Sequence, residues 1–230
     1  LGFACASALA AAGAEVVLAA RSIEEIESAA AAIRAAGGHG AAAALDVCDV
    51  SNASRWVAGE APFDILVNNA GTNRPGPFLE TRIEDYDAVF AVNVRAAYFL
   101  AQSVARRLVA AGKPGSIINM SSQMGHVGSA KRTVYCASKH AVEGMTKAMA
   151  AELGPHGIRV NTICPTFIDT PLTRPYFENE KFRAAVLAKI KLGRLGRPED
   201  VMGAVVFLAS DASALMTGSA LMLDGGWTTS

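Results

Sequence analysis

From one end to the other, the sequence alternates between short apolar runs and longer segments with helical periodicity. Ala14 to Ala20, Ala41 to Leu45, Phe63 to Val67, Ser116 to Met120, Ile158 to Ile163 and Ala220 to Leu223 read as strands. Helical segments separate them: Leu1 to Ala12, Ile23 to Ala36, Asp49 to Gly59, Ile83 to Ala111, and one carrying Tyr135 and Lys139 to Leu153. Two more flank the turn from Gly193 to Pro198. Ser22 offers an N-cap, and Gly13 and Gly37 offer stops. The runs are apolar throughout instead of alternating, which suits parallel strands covered on both faces.

Such alternation predicts an α/β fold, a doubly wound parallel sheet of Rossmann type. With no repeat or low-complexity linker, residues 1–230 read as a single domain. Ligands of that architecture bind at the carboxyl ends of the strands. Asp46, Asn68-Asn69, Ser121-Ser122 and Pro165-Thr166 each follow a strand directly, so four polar clusters converge on one rim. Tyr135 and Lys139, one helical turn apart, share a face near that rim. Moving a phenol from pKa 10 to neutrality takes roughly 4 kcal/mol. A lysine charge about 4 Å away supplies that at an effective dielectric of about 20. The pair is therefore a candidate tyrosine acid/base.

Twenty-one basic and 21 acidic residues give no net charge, and no long basic run is present, which argues against a nucleic-acid or lipid-surface partner. Small molecules are the expected partners. No apolar run reaches the ~18 uncharged residues of a membrane span; the one from Val201 to Met216 is broken by Asp211. Neither Cys5, Cys48, Cys136 and Cys164 nor His39, His126, His140 and His156 show metal-ligand spacing, so no metal is expected. Free thiols in a reducing cytoplasm are the expected state, and no secretory leader opens the sequence.

Asn68-Asn69-Ala70-Gly71, Asn93, Ser122 thirteen residues before Tyr135, and Tyr135-x-x-x-Lys139 together resemble the short-chain dehydrogenase/reductase family. Asn161 with Pro165 and Thr170, Gly193 to Asp200, and Asp224-Gly225-Gly226 extend the resemblance over nearly the whole chain. It implies hydride transfer between NAD(P) and a secondary alcohol or ketone. In that pattern Tyr135 is the acid/base, and Lys139 lowers its pKa while holding the nicotinamide ribose. Ser122 binds the substrate oxygen and Asn93 holds a water in the proton path. Asp46 and Val47 bracket adenine, Asn69, Ala70 and Gly71 allow close backbone approach, and Pro165, Ile168 and Thr170 line the nicotinamide amide and phosphates. A homotetramer packed through the helices at 83–111 and 133–153 is also implied, with sugar, polyol or 3-oxoacyl compounds as the substrate types.

Three features of the sequence qualify the resemblance. The family's glycine-rich turn is represented only by Leu1-Gly2, leaving Gly2 as its one candidate contact; about 15 to 25 upstream residues, one strand and one loop, are expected. Thr166 stands where the family usually has glycine. Ala19-Ala20-Arg21-Ser22 offers Arg21 and no acid at the end of its strand, which favours NADP over NAD.

Other readings of the same residues remain open on sequence. Asp46 serves equally as an N-cap, Ser121-Ser122 and Asn68-Asn69 as turns, Arg159 as an ion-pair partner and His126 as an exposed loop residue. The substrate pocket is expected from 72–77, 123–133 and 167–191, where Arg74, Lys131, Arg132 and Arg174 hint at an anionic or hydroxyl-rich ligand. Two rival classes are a cofactor-free lyase on the same scaffold, against which Lys139 speaks, and a nucleotide sensor without turnover, against which the joint presence of Ser122, Tyr135 and Lys139 speaks.

Overall fold

The computed structural model describes residues 1–171 and 173–229; Leu172, inside the expected pocket segment 167–191, lies outside the described residues. In chain order the elements are α1 (Gly2–Ala11), β1 (Glu15–Ala20), α2 (Ile23–Ala35), β2 (His39–Ala44), α3 (Val50–Gly59), β3 (Ile65–Asn68), α4 (Ile83–Phe90), α5 (Ala97–Ala110), β4 (Gly115–Met120), α6 (Thr133–Leu153), β5 (Ile158–Pro165), α7 (Arg174–Phe177), α8 (Glu180–Leu187), α9 (Glu199–Ala209) and β6 (Ala220–Leu223). The expected alternation is present, with boundaries displaced by a residue or two at most ends.

All pairings among the described strands are parallel, but the ladder comes in two pieces. β1 pairs with β2, while β3, β4, β5 and β6 follow one another in a four-stranded sheet. Side chains of successive residues leave a strand on opposite faces. Ile118 and Ile163 accordingly pack with Cys5 and Leu9 of α1 and Val205 and Leu208 of α9. Ile117, Ile158 and Val160 pack instead with Val57 of α3, Val104 and Leu108 of α5 and Ala150 of α6. Helices thus cover both faces, and Val16 of β1 joins Ile65 and Val67 of β3 on the first cluster, so the two ladders share one apolar core. Truncating a fully buried leucine such as Leu108 to alanine costs about 2–5 kcal/mol in a core of this kind.

Capping chemistry explains several boundaries. Ser22 Oγ accepts a hydrogen bond from the Glu25 amide (3.4 Å) at the start of α2, and Gly37, at φ 85°, takes the left-handed turn after it. Asp49, not Asp46, caps α3, accepting from the Asn52 amide at 3.0 Å. Arg159 forms no ion pair among the described residues. Its guanidinium donates to the Leu208 and Ser210 carbonyls and to Ser213 Oγ, satisfying acceptors at the end of α9.

The helix expected over 83–111 is continuous but not uniform: Ala91–Ala96 form a π-helical turn between α4 and α5. By length and mean hydropathy (1.3), the stretch Ile83–Ala110 is apolar enough to cross a membrane. It nevertheless carries Arg95, Arg106 and Arg107, and its α5 portion packs against β3, β4 and α3 as a core helix.

Candidate active site

Tyr135 and Lys139 lie on the first turns of α6, with the lysine Nζ 5.6 Å from the tyrosine ring centre. Lys139 is only 4% exposed, and its ammonium donates to the carbonyl of Met120, the last residue of β4, at 2.8 Å. Burial pulls its pKa down to about 8, while the nearby Cys164 and Glu143 act in the opposite direction. The Tyr135 phenol does not show the lowering expected from its neighbour. Burial raises its pKa, against a hydrogen bond with Ser122 and the charge of Arg132. The reason is that both groups leave water together, and desolvation disfavours the phenolate before the lysine can favour it.

Ser122 follows β4 and caps the short 3₁₀ turn Gln123–Gly125, so its turn role and its place facing Tyr135 coexist. Its Oγ accepts from the Met124 amide (3.1 Å), donates to Gln123 Oε1 (2.7 Å) and lies 3.5 Å from the Pro165 carbonyl. Asn93 sits in the π-helical turn, 2% exposed. Its Oδ1 accepts from the Thr72 amide at 2.8 Å, and its Nδ2 donates to the Thr72 carbonyl and to Ser138 Oγ, each at 3.0 Å. The asparagine thus fixes the start of the loop at 72–77, a duty the sequence did not reveal. Single π-turns inside α-helices recur at functional sites.

The remaining rim residues fall into two groups. A Cβ on Gly71 would lie 3.5 Å from Asn93 Oδ1 and 3.8 Å from Lys139 Nζ, and a Cβ on Gly2 would come within 2.7 Å of Asn69 Nδ2. Both glycines therefore keep open a floor that a side chain would fill. Arg21 and Asp46, at the ends of adjacent strands β1 and β2, are exposed, and Asp46 Oδ1 accepts from the Cys48 amide at 2.9 Å; Val47 is half-buried, and Ala70, after β3, is exposed.

Across the rim, Pro165 ends β5 and Thr170 bonds Thr173, whose Oγ1 also reaches the Ile168 carbonyl. The Ile168 side chain is buried in the core, which leaves its main chain, not its side chain, to face a ligand. Thr166 needs no glycine-like conformation, since Lys131 (φ 61°) is the one non-glycine residue with positive φ among those described. Asn68 finds its partners inside the protein, donating to the Ala97 carbonyl and Asn119 Oδ1.

Thr166 Oγ1 and Asn73 Oδ1 are buried at this rim without any hydrogen-bond partner. Buried polar atoms left unpaired call for a ligand, and together with the two glycine approaches they fit a dinucleotide along the strand ends. Next to them Asn73, Arg74, Pro75, Gly76, Glu80, Thr81, Asp85 and Tyr176 enclose a polar cavity of about 320 Å³. Of the basic residues noted in the sequence, Arg74 lines this cavity. Arg174 is held by Asp169 at 2.8 Å, and Arg132 stacks over Phe167 and Tyr176. Lys131 uses its carbonyl to hold the Gly76 amide at 3.0 Å, tying the two predicted pocket loops together.

The family model for enoyl-(acyl carrier protein) reductase matches residues 1–228. The chain belongs to the short-chain dehydrogenase/reductase family. L-xylulose reductase of Bos taurus is 40% identical over 227 residues, covering 99% of this chain and 91% of that protein. D-erythrulose reductase of Gallus gallus is 40% identical over 230 residues, covering 100% and 92%. The crystal structure of a gluconate 5-dehydrogenase from Burkholderia cenocepacia in complex with NADP and tartrate matches at TM-score 0.94 and 33% identity, over 99% of this chain and 90% of that one. As a short-chain dehydrogenase/reductase, the chain is an NAD(P)-dependent oxidoreductase acting on CH–OH groups, moving a hydride between the dinucleotide and an alcohol or ketone.

Proposed function

We propose that the chain reduces a short hydroxylated ketone, a ketose or keto-sugar acid, with NADPH, and oxidises the corresponding alcohol in reverse. The observation that carries this reading is the Ser122–Tyr135 pair, backed by Lys139; the loop at 72–77, which Asn93 anchors, also contributes Asn73 and Arg74 to a cavity with a polar lining. The names of the two ketose reductases and of the gluconate 5-dehydrogenase support the substrate class.

The bound nicotinamide would supply or accept the hydride and, when oxidised, a positive charge. Everything else falls to side chains. Reducing a carbonyl builds negative charge on its oxygen; Ser122 Oγ holds that oxygen and Tyr135 gives it a proton. With its pKa raised, the phenol is fully protonated at neutral pH, the state that reduction requires. Lys139 holds the nicotinamide ribose and returns positive charge to the phenol. Asn93 orients a water through the second lone pair of its Oδ1.

Gly2, Asn69, Ala70 and Gly71 are the proposed floor for the pyrophosphate and ribose, with Asp46 and Val47 at adenine. Pro165, Ile168 through its main chain, and Thr170 are proposed at the carboxamide end. Arg21, exposed and without a carboxylate beside it in sequence, is proposed to pair with a 2′-phosphate, which makes NADP the preferred cofactor. Four free cysteines suit a cytoplasmic location. A homotetramer is proposed through α5 and α6: α5 leaves Tyr98 and Val109 exposed at a groove of about 350 Å³, which Met149 and Leu153 of α6 also line. The residues are taken to form a single domain.

The test is initial-rate kinetics on a panel of ketoses, keto-sugar acids and simple ketones with each cofactor. The reading predicts higher kcat/KM with NADPH than with NADH, hydroxylated ketones ahead of unsubstituted ones, and loss of the NADPH preference in Arg21→Ala. Equal rates on unsubstituted ketones, or an NADH preference unaltered by Arg21→Ala, would contradict it.

A further inference from the structure

Behind the catalytic lysine lies a cluster that the proposed reaction does not use. Glu143 occurs one turn of α6 after Lys139 and is 6% exposed. Its Oε1 is 3.2 Å from Cys164 Sγ and 3.5 Å from His126 Nε2, and those two atoms are themselves 3.5 Å apart. The three side chains come from three elements: the loop after β4, α6 and β5. Positions 126, 143 and 164 consequently show no spacing that marks them in the sequence.

Two of the triangle's three edges have the dimensions of a zinc tetrahedron. Bond lengths of about 2.3 Å to sulfur and about 2.0–2.2 Å to nitrogen and oxygen put tetrahedral ligand atoms about 3.3–3.6 Å apart. The two edges at His126 Nε2 are 3.5 Å each, within that range; the Cys164 Sγ–Glu143 Oε1 edge, at 3.2 Å, is shorter and is the hydrogen bond that a metal would replace. Glu143 is also oriented from behind, because Thr162 Oγ1 donates to its other oxygen at 3.1 Å, and such outer contacts fix metal-ligating carboxylates.

A second observation points the same way. Ser121 is buried, and its Oγ neighbours the Cys164 thiol as a hydrogen-bond partner that favours the thiolate, against the burial that raises the thiol's pKa. That oxygen and Glu143 Cγ lie 3.0 and 3.1 Å from the point where a Cβ on Gly125 would sit, which places the Ser121 hydroxyl beside the cluster. The His126 side chain, 30% exposed, gives the cluster an opening to solvent.

We propose that His126 Nε2, Glu143 Oε1 and Cys164 Sγ form a binding site for a divalent soft cation of the zinc type, with water as the fourth ligand. On binding, the S–H bond of Cys164 breaks, a sulfur–metal bond forms, and one proton leaves to solvent past His126. No electron changes hands. The site gains one unit of positive charge (two from the ion, less the proton released) next to Lys139.

Cobalt(II) titration of the purified, cofactor-free protein is the probe, because a thiolate ligand gives a charge-transfer band and tetrahedral geometry gives intense visible bands. The expected result is one equivalent bound with both features, competed away by zinc. The charge-transfer band is expected to vanish in Cys164→Ser and affinity to fall about tenfold or more in His126→Ala, in line with loss of one ligand, while Cys48→Ser retains the wild-type spectrum. His126 is a surface loop residue, so its variant keeps the test independent of folding. Absence of the charge-transfer band in the wild type, its persistence in Cys164→Ser, or unchanged affinity in His126→Ala overturns the proposal.

Discussion

At the scale of single residues, burial sets the chemistry. Lys139 is charged at neutral pH inside a site that disfavours charge, and its pKa falls to about 8 against 10.5 in water. Between those values the unfolded chain holds a proton that the folded protein has released, so this group's contribution to stability rises with pH. Across pH 8 to 9 the cofactor-free wild type is therefore expected to gain about 1 kcal/mol relative to Lys139→Met. Chemical denaturation of both proteins at the two pH values measures the difference. A wild type that gains nothing over the variant would show that the lysine is solvated. Ser122, Tyr135 and Lys139, the proposed catalytic residues, could be picked out in sequence because their spacing is a property of the chain. The raised pKa of Tyr135 was not, since it arises from everything packed around the ring, and neither was the Glu143 cluster, which three separate elements assemble.

Elements position these residues, and the π-helical turn at Ala91–Ala96 is the least expected of them. Its sequence keeps helical periodicity, so nothing in the pattern distinguishes it from α4 and α5 on either side. The turn directs Asn93 at Thr72, where the side-chain amide satisfies both the backbone amide and the carbonyl. Asn93→Ala leaves those two groups without partners, which predicts a loss of about 1–3 kcal/mol in stability. It also predicts a fall in kcat and faster proteolysis within 72–77, because the pocket loop loses its anchor. Thermal denaturation, kinetics and limited digestion check this; wild-type values in all three would contradict the assignment. Helix ends such as Ser22 and Gly37 were readable because their chemistry is local. Asp46 and Asp49 could not be separated by sequence, for either carboxylate suits a cap and only the course of the chain after β2 decides between them.

Over the whole molecule, the strand-end rule did most to connect sequence with site. Apolar runs fixed the strands, and their polar followers had to share a rim once the strands were parallel. The division of the ladder between β1-β2 and β3-β4-β5-β6 falls where the doubly wound strand order has its central strand. The exposed apolar residues of α5 lead to a prediction at this scale: sedimentation equilibrium is expected to give about four times 23.8 kDa, whereas a monomer mass would remove the proposed interface. The central claim, that a tyrosine on α6 transfers the proton for a dinucleotide-dependent reduction, is tested most directly by Tyr135→Phe assayed for both ketose turnover and NADPH binding. The account predicts that kcat falls about 10²- to 10⁴-fold, the range for loss of a general acid, while NADPH affinity is unchanged. Retained turnover, or loss of NADPH binding together with turnover, would contradict it.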